Sequence, residues 1–421
     1  MKINTLLALA LALPFSASGF EANWSGFGTL GYAVSDQPYK YQRFIDDQGT
    51  FKRDSVLGVQ MDAKLSPQWG ATVQARLAPA SDSDKQWEPS LAWAFVSWRP
   101  ADDLLIRAGK LRLPFMINTE NQEVGATYPF ARLPVEVYST APSSDIVGLM
   151  VSKSWWMSTL EWGVDGYYGK INYPQRVHGR DMSPQGMVGG TWFEPIQLQG
   201  GGLVFSLRSD DDLYRLGLHR METRMRHGGR IVTEPAFYPL PSPPYQAGEG
   251  LYNQLASPMV DNTVSPLLTF GASIGLPAGF QLSTEYARVR VINANNGWDR
   301  WAAYGALSKR IGAWTPYGYY ARMKAGGRVL RLYQSIENNR VSLPMPGMNE
   351  SQRFAADMLI ASDQSTWALG SSYQLSPRSL LKAEWSQTKT GVVSSFVDAP
   401  SGSSSADQRI NVLSLSYSFT F

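Results

Sequence analysis

The sequence predicts a transmembrane antiparallel β-barrel of about sixteen strands, and three observations predict it. The last nine residues alternate without exception, with Leu413, Leu415, Tyr417, Phe419 and Phe421 on one face and Ser414, Ser416, Ser418 and Thr420 on the other. Seven short turns alternate with eight longer connections along the chain. Tryptophans, among them Trp69, Trp98, Trp155, Trp162, Trp314 and Trp385, gather where strands meet their ends.

The elements follow in order. Lys2, the apolar run from Leu6 to Phe15 and the small residues Ala17-Ser18-Gly19 have the pattern of a secretory signal. Residues 1–19 are therefore expected to be cut away and 20–421 to form the barrel. In the first clear hairpin Leu57, Val59, Met61, Ala63 and Leu65 oppose Gln60, Asp62 and Lys64, then Ala71, Val73, Ala75 and Leu77 oppose Thr72, Gln74 and Arg76. A period of two with one greasy and one polar row suits a strand between lipid and a wet lumen. The turn Ser66-Pro67-Gln68-Trp69-Gly70 joins them, and further short turns are expected at 99–102, 154–157, 209–212, 276–279, 311–314 and 375–378. Longer connections are expected near 35–53, 80–88, 114–145, 171–197, 225–265, 293–297, 326–362 and 394–408. Short turns on one rim and long loops on the other are the mark of such a barrel, with the short ones periplasmic. Ambiguous registers at 298–311 and 379–393 leave the count open by two. No amphipathic helix is expected. Phe421, ending the alternation on an aromatic, resembles the C-terminal signal by which the barrel-assembly machinery recognises bacterial outer-membrane barrels.

Composition excludes other classes. The 421 residues hold 38 Lys+Arg, 35 Asp+Glu and no cysteine, with 38 Gly, 20 Tyr and 14 Trp. That is too aromatic for disorder, has no disulfide framework, and shows no basic excess that would point to nucleic acid. Mean hydropathy is −0.23, and beyond the first dozen residues no run approaches the roughly 18 apolar residues of a spanning helix. Gly26-Phe27-Gly28-Thr29-Leu30-Gly31 matches a nucleotide fingerprint in letters, but without a βαβ context the glycines are expected to thin a strand where strands pack closely or a subunit contacts its neighbour. Asp210-Asp211-Asp212 lacks the spacing of a calcium loop. His178, His219 and His227 are scattered, so neither a metal nor a cofactor is expected.

With the apolar rows toward lipid, the complementary rows face the lumen: Asp62, Lys64, Arg76, Arg107, Glu161, Asp165, Arg215, His219, Glu285, Arg322, Lys324, Lys382 and Glu384. An Arg or Lys turned to lipid at mid-membrane costs roughly 2–4 kcal/mol, which favours these assignments. Most of these charges are expected to hydrate the lumen and neutralise one another. Small inward Ser, Thr and Gly argue against a plugged structural barrel. His219 has no nucleophile in its register, which argues against a barrel-embedded hydrolase, and no enzyme is expected.

After the fifth strand the chain reads Gly109-Lys110-Leu111-Arg112-Leu113-Pro114-Phe115 and then runs irregularly to about Asp145. A long third loop in this place resembles the Gram-negative porins, whose third loop folds into the barrel and narrows it. The seven-residue run resembles the strand-five end of phosphate-selective porins. The resemblance implies an outer-membrane channel for passive diffusion of ions and small hydrophilic solutes, a homotrimer in outer-membrane lipid, and 114–145 as the constriction loop. The alternative is a substrate-selective channel of the anion or phosphate type. Arg107, Lys110 and Arg112 would then form a basic wall and Glu120, Glu123 and Glu136 an acidic side, with Arg132 on the same loop. Opposed charges across the narrowest section favour polar solutes. Lys110 and Arg112 differ in parity from Arg107, which leaves a rim position open for them. The connection 225–265 is the other candidate for the constriction.

Overall fold

A computed structural model describes residues 21–421 apart from 142, 182–188, 211 and 254–256, so the expected signal segment lies outside the described residues. Strands β1 (Glu21–Ser35), β2 (Val56–Lys64), β3 (Trp69–Pro79), β4 (Trp87–Ala101) and β5 (Leu104–Arg112) begin the wall, and a one-turn helix α1 (Val135–Tyr138) lies in the loop that follows. Next come β6 (Asp145–Met157), β7 (Leu160–Gly179), β8 (Gly190–Ser209) and β9 (Asp212–Met225). Within the following connection β10 (Ile231–Val232) pairs with β13 (Met259–Val260), and β11 (Ala236–Pro239) with β12 (Gly250–Asn253). The wall resumes with β14 (Asn262–Leu276), β15 (Phe280–Val289), β16 (Arg300–Lys309) and β17 (Trp314–Ala325). Helices α2 (Gly327–Glu337) and α3 (Met348–Asp357) precede β18 (Ser362–Ser376), β19 (Ser379–Ser394) and β20 (Arg409–Thr420).

Sixteen of these strands, β1–β9 and β14–β20, form one closed barrel, each antiparallel to its neighbour. β1 closes on β20, with Phe27 opposite Thr420 and Ser35 opposite Val412. Closure leaves no backbone edge unpaired, the condition for crossing lipid with strands. Outside, Leu413, Leu415 and Tyr417 are exposed while Ser414, Ser416 and Ser418 between them are buried. Trp69 stacks on Trp98 at 5.7 Å, and these two stand exposed near the short-turn rim with Trp155, Trp156 and Trp314, where an amphipathic ring suits the headgroup level. Two further tryptophans lie inside: Trp93 sits opposite inward Gln74 with its Nε1 buried, and Trp298 carries the Arg300 guanidinium 4.2 Å above its ring.

Gly26 and Gly28 have a packing reason at the closing seam. A Cβ on Gly26 would stand 2.2 Å from the Phe421 ring, and one on Gly28 2.6 Å from that of Phe419. Reciprocal backbone bonds of 3.0 Å link Gly26 and Phe421. The glycines are thus a seat for the terminal aromatics. Overpacking costs about 1–3 kcal/mol, so Gly28→Leu should lower the temperature at which the folded barrel loses its compact gel mobility. Phe421→Ser should cut the yield of folded barrel more than Thr420→Ser, and equal yields would contradict the seat.

Three segments differ from the sequence reading. β7 and β8 span 20 residues each, so the connection expected at 171–197 shortens to 180–189. The turn expected at 154–157 falls at 158–159, where Ser158 has a φ of 58°. The connection 326–361 contains two helices. Val329, Leu330, Tyr333 and Ile336 recur at helical spacing and pack on Ala355, Ala356 and Leu359, an amphipathic pattern short enough to be hidden between charged residues. Ion pairs hold these long-loop segments together: Arg180 with Glu337 (2.6 Å) and Asp357 (2.8 Å), and Arg176 with Asp84 (3.0 Å) and Asp398 (2.5 Å).

Candidate functional site

The largest buried apolar cluster of the molecule lies inside the barrel, and the loop 113–144 supplies part of it. Pro114 offers no backbone donor to extend β5. Leu113, Phe115 and Met116 turn inward and are almost wholly buried, and Leu113 N–H donates to Ser144 O at 2.7 Å to close the base of the loop. Phe115 meets His219 edge-on at 4.9 Å. Further along, Gly125 presses against the wall where a Cβ would stand 2.5 Å from Ser418 Oγ, so only glycine fits. Phe130 packs edge-on against Tyr317 at 5.0 Å.

Polar groups of the wall fasten this path at every side. Glu285 accepts from Ile117 N–H (2.6 Å), Tyr138 OH (2.6 Å) and Tyr304 OH (2.9 Å). Lys382 Nζ donates to Gly125 O (2.5 Å) and Phe130 O (2.8 Å). Arg215 donates to Met116 O (2.9 Å) and Arg300 to Ser139 O (2.8 Å). Glu384 accepts from Tyr317 OH at 2.8 Å, and the same hydroxyl accepts from Ala131 N–H at 2.8 Å. Arg132 forks onto Asp54 at 2.8 and 2.5 Å. Each buried polar atom has a reason to be held, since an unmet one in such surroundings costs about 1–3 kcal/mol.

Several expected site residues are therefore anchors. Glu136 is not on the pore surface: it is buried on α1 and accepts from Gln364 (2.7 Å) and Thr366 (2.5 Å), and burial raises its pKa. Arg132 is likewise buried against Asp54. Glu285 and Lys382 lie on the inward rows but bind the loop instead of facing water, and Glu384 is buried on the wall tyrosines Tyr317 and Tyr319. Arg322 and Lys324 do not face the lumen. The inward row of β17 is Tyr317, Tyr319, Ala321 and Met323, whereas Arg322 pairs with Ser365, in the same row as exposed Trp367. Arg322 bonds instead to Asp363 at the long-loop end, where the lipid penalty that fixes parity no longer applies.

On the wall, Asp62 accepts from Thr72 (2.6 Å) and Gln60 (2.7 Å), and Lys64 is exposed near the short-turn rim. Arg107 reaches Ser152 at 3.1 Å, which in turn donates to Asp165 at 2.5 Å. Glu161 stands 3.9 Å from Arg208. His219 is enclosed by Tyr167 (2.6 Å) and Thr269 (3.2 Å) with no carboxylate at either ring nitrogen.

The remaining charged group is one cluster, not two facing walls. Glu123 of the loop pairs with Arg76 and, at 3.3 Å, with Arg112; Asp145 pairs with Arg112 (3.0 Å) and Lys110 (3.8 Å). The expected transverse field is thus replaced by direct neutralisation. Lys110 shares the outward parity of exposed Val147, yet it lines the interior cavity. The β4–β5 ladder ends at the Ala94–Lys110 pair, after Gly109 at a φ of 140°, which frees both basic residues to turn in. Glu120 is partly exposed with no ion pair among the described residues.

Two polar cavities remain beside the loop, along the β1–β5 side. One of about 420 Å³ is lined by Arg43, Arg76, Glu88, Lys110, Arg112 and Asp145. The other, about 370 Å³, is lined by Arg53, Asp54, Arg76, Glu123, Arg132 and Ser418. They share Arg76, Pro79, Gln122 and Tyr138. Opposite, bulky Met150, Tyr167, Met221, Tyr304 and Tyr319 do face inward, contrary to the expectation of a small-residue lining, and with the loop they fill that half of the lumen. Sequence reasoning also passed over Asp54, Arg53 and the inward tyrosines. Tyrosine suits a girdle as well as a lumen, and Asp54 lies in a connection with no period to read.

Fold and loop together define an architecture, a closed sixteen-stranded antiparallel barrel with its third long loop folded into the lumen, and this is a fold it shares with Gram-negative outer-membrane porins. The trimer form of OmpT, an outer membrane protein of Vibrio cholerae, superposes with a TM-score of 0.52 at 10% identity, covering 96% of this chain and 100% of that one. An anion-selective porin from Comamonas acidovorans gives 0.51 at 12% identity, over 96% and 100%. The outer membrane channel DcaP of Acinetobacter baumannii gives 0.50 at 10%, over 96% and 99%. At these identities the likeness is one of fold. No protein-family model matches the chain, and neither does any curated protein sequence.

Proposed function

We propose that the chain is an outer-membrane porin, a channel and not an enzyme, through which small hydrophilic solutes and ions diffuse passively along the β1–β5 side of loop 113–144. The pair of polar cavities flanking that loop carries this reading. A sixteen-stranded wall is wide enough for an aqueous channel, and the loop reduces it to a side passage. The fold shared with the trimeric Vibrio protein supports a homotrimer in outer-membrane lipid, and the seated Phe421 supports recognition by the barrel-assembly machinery.

A second reading, preference for anions, is favoured by charge. The two cavities present Arg43, Arg53, Arg76, Lys110, Arg112 and Arg132 against Asp54, Glu88, Glu123 and Asp145. Arg53, in the connection before β2, has its pKa lowered to about 10 by burial and the nearby Arg132, so it stays charged at neutral pH. Rings of lining charge set which ions enter.

Single-channel recording in planar bilayers tests both readings. Stepwise conductance is expected, with a reversal potential of anionic sign under a KCl gradient. Arg53→Glu with Lys110→Glu should at least halve the anion-to-cation permeability ratio, and Lys64→Glu at the rim should leave it unchanged. Absence of steps overturns the channel, and a cationic reversal potential overturns the preference.

A further inference from the structure

A third cavity lies on the filled side of the lumen. It measures about 300 Å³ and its wall is mostly apolar, with Leu198, Ile231, Leu267 and Val289 predominating over the charged Glu194 and Arg230. The apolar part of this wall favours an apolar group over water. Ligand sites combine walls of this kind with a few convergent polar groups.

Further basic groups are next door. Phe115, Thr140, Ala141 and Tyr173 line both this cavity and the 420 Å³ one that holds Lys110 and Arg112. Arg300 adds a second, independent observation. It is 2% exposed, has no carboxylate partner among the described residues, and leaves its Nε buried without a hydrogen bond. Its guanidinium lies over Trp298, which lines the apolar cavity. A buried cation without a counter-ion is costly, and an anion bound nearby relieves that cost.

We propose that the joined cavities bind a monocarboxylate carrying a ring or a short acyl chain, with the apolar part between Leu198 and Ile231 and the carboxylate on the basic side of Tyr173. This deepens the channel reading and rests on it for the claim that the bound solute passes; the binding itself does not. The channel would then select amphipathic anions over fully hydrophilic ones.

Calorimetric titration of the full-length barrel in lipid nanodiscs tests the binding without requiring conduction. The probes are benzoate, acetate and benzyl alcohol. Benzoate should bind at least tenfold tighter than acetate, which lacks the ring, and than benzyl alcohol, which lacks the charge. Ile231→Trp, in the connection outside the barrel wall, should fill the cavity and weaken benzoate at least fivefold. Lys110→Gln should narrow the margin over benzyl alcohol. Equal binding of benzoate and acetate, or wild-type benzoate affinity in folded Ile231→Trp, overturns the proposal. Conductance in planar bilayers with no preference for benzoate overturns the claim that the bound solute passes, whereas benzoate binding without any conductance steps sinks the channel reading and leaves the site standing.

Discussion

Excising residues 118–138 and bridging the gap with glycines should raise single-channel conductance severalfold, with a matching rise in the size limit for sugars in a liposome-swelling assay. The loop crosses the lumen from Phe115 beside His219 to Phe130 beside Tyr317, so its removal opens the half it now fills. The wall does not depend on it for closure: every barrel strand is paired on both sides, and β1 meets β20 directly. Lys382 loses both loop partners and Glu285 loses Tyr138, while Glu384 keeps its wall partner Tyr317, and water enters at the same time, so these become hydrated charges and not stranded buried ones. Tyr317 and Tyr319 lose apolar cover, at about 25 cal/mol per Å² newly wetted. The folded barrel should therefore assemble with a lower unfolding temperature. Unchanged conductance in an assembled deletion variant would mean that the narrowing is set elsewhere, by the connection 226–261 over the mouth.

The wall was readable in the sequence because lipid enforces parity. Each misplaced charge in the hydrocarbon zone carries a penalty, so rows such as Leu413 to Phe421 repeat without error. Where the penalty ends, parity stops informing. Arg322 sits at a strand end above the lipid and takes the outer face with Asp363, and Lys110 escapes its row because the ladder beside it has ended. The loop's destination was suggested by its length and place after β5, but its fastenings were not. Parity puts Glu285 and Glu384 inside; whether each meets water or Tyr138 and Tyr317 depends on a segment far away in the chain. Glu136 shows the same limit. Its letter suggests a pore-facing acid, and only the packing of α1 against β18 makes it a buried acceptor.

Asp54→Asn should release one end of the inner loop and convert a quiet channel into one with frequent transitions between conductance levels. Asp54 receives both arms of Arg132, and each side chain is 9% exposed. Breaking such a buried pair by removing one partner costs roughly 3–5 kcal/mol, because the remaining charge is left uncompensated. Replacing both, as in Asp54→Leu with Arg132→Met, should restore stability and the quiet trace, since the desolvation cost goes with the pair. The double variant separates loss of the clamp from loss of the fold. Acid gives a second handle. Burial raises the Asp54 pKa, but Arg132, with Arg53 and Lys382, outweighs it and holds the carboxyl below its ordinary value. A depressed folded pKa contributes stability in full above the unfolded value, about 3.9, and loses it as pH falls through the folded one. Wild type should thus stay quiet down to about pH 4 and grow noisy below it, while Asp54→Asn is noisy at every pH. A wild-type trace that turns noisy near neutral pH, or an Asp54→Asn trace as quiet as wild type, would show that the loop is held by Glu285 and Lys382 without this clamp.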